Sequence, residues 1–163
     1  MTYQCAYCGE IHDDLPDIGS DRPDLCWSIP ETEWSQRVDL TAETCVVDKV
    51  HFLIRGVIEL PIHEAPETFG FGVWVSLTRE DLDTYLENPD TDEIGPFSGR
   101  LGTNIRFYDE DTTSLQTLVH FLGHNARPII LLDPMTNHPL GIDQRNGISL
   151  SKAWEIAHFY GVE

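Results

Sequence analysis

Thirteen residues from Val50 to Ile62 constrain this fold more than any other stretch of the chain. Phe52, Ile54, Gly56, Ile58, Leu60 and Ile62 recur at period two. Successive side chains of a strand point to opposite faces, so these six predict a long strand with one core face. The other face carries His51, Leu53, Arg55, Val57 and Glu59. Such a mixture suits either a solvated face of an antiparallel sheet or the floor of a groove, and the charged residues at this spacing favour the solvated face. Cys45-Val46-Val47 precedes the run across Asp48-Lys49 and predicts a hairpin, although this turn lacks the usual glycine. Phe69 to Leu77 is a second strand. Neither of its faces is charged, which makes it central, and Gly70 and Gly72 mark a bend or a close backbone approach.

Thr78 can cap a helix whose Leu82, Tyr85 and Leu86 form an apolar stripe and which stops at Asn88-Pro89. A weak, glycine-broken strand follows over 97–107, then strands over 115–122 and 128–133. The residues 135–139 and Asn146-Gly147 read as turns. A last helix, capped by Ser149 or Ser151, runs through Trp154 and Tyr160 to Gly161. Residues 13–44 are rich in turn formers and read as loop with short helical turns, pinned to the core by Trp27 and Trp34. The sum is an α+β fold: a mostly antiparallel sheet, two main helices and a small N-terminal zinc-knuckle-like segment. At 163 residues one domain is expected over 1–163, with a knuckle and loop-rich part over 1–44 and the sheet and helices over 45–163.

Ten basic residues against 28 acidic ones give a net charge of −18. Such a field repels phosphate and anionic headgroups, which argues against nucleic acid and membrane surfaces; it keeps a protein soluble and steers a basic protein partner toward it. No run approaches the ~18 apolar residues of a membrane span. The start, Met1-Thr2-Tyr3-Gln4-Cys5, has no secretory pattern, so the cytoplasm is expected, where cysteines serve as thiols or metal ligands rather than disulfides.

Cys5-Ala6-Tyr7-Cys8-Gly9 has the form of a metal knuckle. Zinc favours thiolate and imidazole in a tetrahedral shell, and a glycine after the second sulfur lets the backbone curl around it. His12, close in sequence, and Cys45, at the start of the first core strand, are the preferred remaining ligands; Cys26 and His51 are alternatives. Four protein ligands leave no position for water, so the predicted zinc is structural. A thioredoxin-type pair is disfavoured because no strand fits before residue 5.

His120, His124, Arg127, Asp133, His138, Asp143, Gln144 and Arg145 are of types suited to acid–base work, yet the chain has no nucleophile elbow, phosphate-binding loop, His-Glu-x-x-His or dinucleotide fingerprint. Taken in order, Cys5-x2-Cys8-Gly9-x2-His12, Cys45-Val46-Val47-Asp48, Phe52-Leu53-Ile54-Arg55-Gly56, Gly72 to Leu77, Arg127-Pro128, His138-Pro139-Leu140 and Gln144-Arg145-x-Gly147-Ile148 resemble a bacterial family known as domain of unknown function 2199. The resemblance implies one domain and no established activity. It also implies that Cys45 is a better ligand than Cys26, whose position in that family more often holds an aromatic residue. Its shared polar residues suggest Arg55, His138, Gln144 and Arg145 as a binding site. The expected function is a non-catalytic, zinc-stabilised acidic domain that binds a protein, of immunity or adaptor type. The alternative is a small hydrolase or ligand-binding enzyme with a groove around Arg55, His138 and Arg145.

Overall fold

The computed structural model describes residues 18–88, 90–124 and 126–161, together with the backbone of 3–4 and 11–12. Those first two pieces, β1 (Tyr3–Gln4) and β2 (Ile11–His12), pair antiparallel with Tyr3 opposite His12. Two short helices follow, α1 (Asp24–Trp27) and α2 (Glu31–Arg37), and then seven strands: β3 (Val38–Leu40), β4 (Thr44–Val47), β5 (His51–Pro61), β6 (Thr68–Leu77), β7 (Phe97–Leu101), β8 (Gln116–His120) and β9 (Ile129–Leu132). Helix α3 (Arg79–Glu87) separates β6 from β7, and α4 (Pro139–Asn146) and α5 (Leu150–Phe159) end the chain.

The seven strands pair in sequence order, each antiparallel to the next, and β9 then returns to β5 with Ile129 parallel to Val57. That last contact closes β5 to β9 into a five-stranded barrel and leaves β3 and β4 as an extension. The expected open antiparallel sheet with two main helices is therefore incorrect: the protein is mostly sheet, a closed barrel with two extra strands and small helices. Two physical features make the closure. β5 is eleven residues long, so one edge serves two neighbours: residues 51–54 pair with β4, while Val57 takes β9. Inside, Gly56 and Gly99 leave room where strands crowd: a Cβ on Gly56 would lie 2.6 Å from Ile130 Cδ1, and one on Gly99 would lie 2.4 Å from Val75 Cγ1. An alternating pattern marks inward and outward positions in an open sheet and in a barrel alike, so it does not announce closure.

The period-two face is the barrel interior. Ile54, Ile58, Leu60, Phe69, Val73, Val75, Leu101, Val119 and Ile130 are buried there in one cluster with Leu140 of α4 and Trp154 and Ile156 of α5. The α4–α5 junction docks where Ile148 bridges Ile62, beyond the C-terminal end of β5, whereas α3 follows Leu77, which lies opposite Phe52 at the other end. Helices thus cover both mouths. Thr78 Oγ1 accepts from Asp81 N at 3.1 Å and Ser149 Oγ from Lys152 N at 3.0 Å, the caps that the sequence predicts. The helix α4 lies partly over the expected turns: His138 is its N-cap, Nδ1 accepting from Leu140 N at 3.0 Å, and Pro139 is preorganised for the first position.

The outward face of β5 is solvated only at its ends: His51 and Glu59 are exposed as expected, Arg55 and Val57 are half-buried, and Leu53 is buried. Leu53 and Trp74 form a second core with Cys26, Ile29, Cys45 and Val47, covered by residues of the α1–α2 segment. Of the two tryptophans expected to pin this segment, Trp34 packs against the second core and Trp27 does not; Trp74 adds an anchor, its Nε1 donating to Ser20 O at 3.0 Å. Trp27 is 64% exposed, and Trp34 is half-buried with its Nε1 on Ile29 O. Arg22 stacks over both of those rings, at 4.5 and 4.8 Å from their centroids. Gly72 marks a close approach, as expected, with Gly19 Cα 3.2 Å from where its Cβ would stand. Asp48 and Lys49 turn the β4–β5 hairpin with φ of 53° and 57°, the left-handed conformation that a glycine would take more easily.

Candidate functional site

Of the predicted metal ligands, Cys5, Cys8 and the side chain of His12 lie outside the described residues. Cys45 is described, fully buried on β4 opposite Leu53. Its neighbour is Cys26 of α1, with Sγ to Sγ at 3.6 Å and both thiols free. Burial pushes the Cys45 thiol up to about 12, and the contact with Cys26 adds to the shift. Burial also raises the Cys26 thiol. His51, the other alternative ligand, is exposed opposite Val47 at the hairpin end. Among the described residues no group of three or more His, Cys, Asp or Glu is arranged to hold a metal.

Of the four residues suggested as a binding site, three lie at helix α4 and one on β5. Arg55 points outward from β5, its guanidinium 5.8 Å from the Trp74 ring and Nη1 donating weakly to Ala42 O at 3.4 Å, while its buried Nε has no hydrogen-bond partner. His138, Gln144 and Arg145 all belong to α4 and are each committed to structure. The cap residue His138 also bonds Glu110 O through Nε2 at 3.0 Å. Gln144 clasps the edge of β9, accepting from Leu132 N and donating to Ile130 O, both at 2.8 Å. Arg145 donates to Thr136 O at 2.9 Å. None of these contacts involves Arg55. Two of the other acid–base candidates have partners of their own: Arg127 forks onto Glu43, and Asp143 accepts from Tyr108 and Lys152, both at 2.7 Å.

Sequence reasoning missed two features. One is the thiol pair, which joins residues 19 apart through the second core. The other is a cleft of about 250 Å³ between the segment at Ile18–Ser20, Trp27, Phe71 and Tyr160. Its only sequence signal is Gly72, which admits Ile18 to the free edge of β6, with Gly72 N donating to Ile18 O.

One titration follows from the site's surroundings. Burial and the hydrogen bond to Asp143 hold the Tyr108 hydroxyl well above the ordinary tyrosine value of 10.0. The folded chain keeps that proton to higher pH than the unfolded chain does, so the associated stability is whole below 10.0 and is lost as pH rises toward the raised value. Melting temperature is expected to fall above that point, and Tyr108→Phe should flatten the fall. A wild-type curve unchanged into strong alkali would contradict it.

The molecule is thus a helix-capped meander barrel carrying a Cys-x2-Cys segment and a buried thiol pair. Residues 4–148 match the family described as an uncharacterized protein conserved in bacteria, domain of unknown function 2199, and the chain belongs to that family. No curated protein and no solved structure matches the chain at a significant level. No helix among the described residues is long and apolar enough to cross a membrane.

Proposed function

We propose that the protein is a non-catalytic acidic interaction module, stabilised by zinc at its N-terminal knuckle, that binds a basic protein in the manner of an immunity or adaptor protein. The observation that carries this is how the cations are used. The net charge is −18, and Arg22, Arg37, Arg79, Arg127 and Lys152 are each already set against a carboxylate. Arg100 and Arg145 are turned onto backbone carbonyls. The acids therefore dominate the surface field, most densely over residues 80–93, where seven acids lie on and after α3. Such a field accelerates encounter with a basic surface and weakens with salt. His138 and Gln144, the most enzyme-like residues, are spent on capping and clasping helix α4.

The zinc reading belongs to the same proposal. Cys5 and Cys8 with Cys45 supply thiolates, His12, close to them in sequence, is the preferred fourth ligand, and the bound ion contributes folding energy rather than chemistry. The test is capture of a partner by the purified protein at low salt, followed by titration of the purified pair. A basic partner is expected, with affinity falling at least about tenfold as the Debye length shrinks in high salt. Charge reversal at the exposed Glu87, Asp92 and Glu93 to lysine should weaken it comparably. Binding indifferent to both salt and reversal, or no partner at all beside turnover of a small substrate, would sink the proposal.

A further inference from the structure

The cleft between the Ile18–Ser20 segment, Trp27, Phe71 and Tyr160 has no part in the proposed binding of a basic protein. Its make-up is that of a small-molecule site, an apolar space with two opposite charges in its wall. Phe71 and Ile105 are buried and supply apolar lining. Trp27 also lines it, a largely exposed indole with the Arg22 guanidinium stacked on it at 4.5 Å. At about 250 Å³ the cleft falls below the ~300–1,000 Å³ of sites for drug-sized ligands, so its occupant is smaller. We infer that this cleft binds a free α-amino acid with an apolar side chain, the ammonium group at Asp24 and the carboxylate at Arg106.

The polar groups carry the assignment. Asp24 opens α1, and its Oδ2 accepts from Asn104 N at 2.7 Å, which fixes the carboxylate while no hydrogen bond among the described residues takes Oδ1. Arg106 is exposed and, among the described residues, is set against no carboxylate, Asp24 included, unlike Arg22, Arg37, Arg79 and Arg127. Two opposite charges thus line one cleft without closing on each other. Both reach the same hydroxyl: burial raises Tyr160, and among the smaller influences the Arg106 charge lowers it and the Asp24 charge raises it. Tyr160 Oη accepts from Phe107 N at 3.3 Å, so its own O–H is left to donate. Asn104 Oδ1 accepts from Thr112 N at 3.2 Å, which leaves the Nδ2 group as a further donor. A carboxylate there meets a guanidinium and two neutral donors, and an ammonium group meets a held carboxylate; bonds of this charge-assisted kind are the strong ones. The overall field selects a zwitterion over a simple ion. A net charge of −18 repels an anion, and it draws a cation to the whole surface without distinguishing this place. A zwitterion carries no net charge into that field and is held only where both partners stand together. The space beside Trp27 and Phe71 then takes the apolar side chain, of which an aromatic ring buries the most area.

The experiment is calorimetric titration of the full chain with leucine and phenylalanine, with phenylalaninamide, which lacks the carboxylate, and with phenylpropionate, which lacks the ammonium group. Leucine or phenylalanine is expected to bind with a Kd below about 1 mM, and each truncated probe at least about tenfold more weakly than phenylalanine. Arg106→Gln should weaken phenylalanine at least about tenfold and leave the amide unchanged, whereas Asp24→Asn should weaken phenylalanine as much and leave phenylpropionate unchanged. An amide bound as tightly as the amino acid assigns the effect to the acidic field and overturns the inference. So does the absence of any heat with either amino acid up to about 10 mM. Should Asp24→Asn not fold, the comparison of probes on the wild-type chain decides. Binding of a basic protein is tested separately, by salt and by charge reversal at Glu87, Asp92 and Glu93, and stands or falls without this result.

Discussion

Replacing Trp74 by alanine is expected to cost about 3–5 kcal/mol, the range for a large buried aromatic side chain. The indole has no exposed surface and stands between the barrel wall and the second core, against Leu53 and the thiol pair. Its loss leaves a cavity and frees the Ser20 carbonyl, so the segment running from Ile18 through α1 loses one of its anchors to the barrel. Trp74→Phe keeps most of the packing and gives up only the hydrogen bond, at about 1 kcal/mol. Chemical denaturation of both variants measures this directly. An alanine variant within about 1 kcal/mol of wild type would show that the outer cluster is a covering rather than a core.

Gly56 tests the closure of the barrel. A single Cβ added there meets Ile130 Cδ1 at 2.6 Å, Ile130 Cγ1 at 2.7 Å and Pro128 O at 3.0 Å, all across the β5–β9 seam. Gly56→Ala should therefore cost about 1–3 kcal/mol through overpacking. Ile130→Ala alone should cost about 2–5 kcal/mol through the cavity it leaves. Because the new methyl fills part of that cavity, the double variant should be less destabilised than the two single variants added together. Strict additivity in the double-mutant cycle would mean that the two positions do not face each other and that the seam is built differently.

Much of the barrel wall was legible because burial on one face leaves a period of two: Ile54, Ile58, Leu60, Phe69, Phe71, Val73 and Val75 all point inward. The helix starts at Thr78 and Ser149 were legible because caps act locally, through a side-chain oxygen and an amide three residues on. Closure was not legible. The Val57 to Ile129 contact joins residues 72 apart in sequence, and neither carries a sign of the other. The outer face of β5 misled in part for a related reason: His51 and Glu59 do face water, but Leu53 between them is covered by a segment whose own pattern is irregular. In the candidate site, residue types were legible and their hydrogen-bond partners were not. Gln144 has the composition of a binding residue and the geometry of a clasp, which only its partners Leu132 N and Ile130 O reveal.

The shared edge of β5 bears on how the chain comes to be folded at all. The β5–β6 hairpin is local and can form while the chain is still being synthesised, but β9, which finishes the barrel, arrives about seventy residues after β5. Until it does, the half of β5 around Val57 presents unpaired backbone amides and carbonyls beside apolar side chains. Loop closure over that distance is slow compared with hairpin formation, and an unpaired strand edge is a template for pairing with another chain. The nascent protein thus passes through a stage in which its longest strand is half-dressed. The density of acids, by keeping neighbouring chains apart through mutual repulsion, protects that stage as well as the finished molecule.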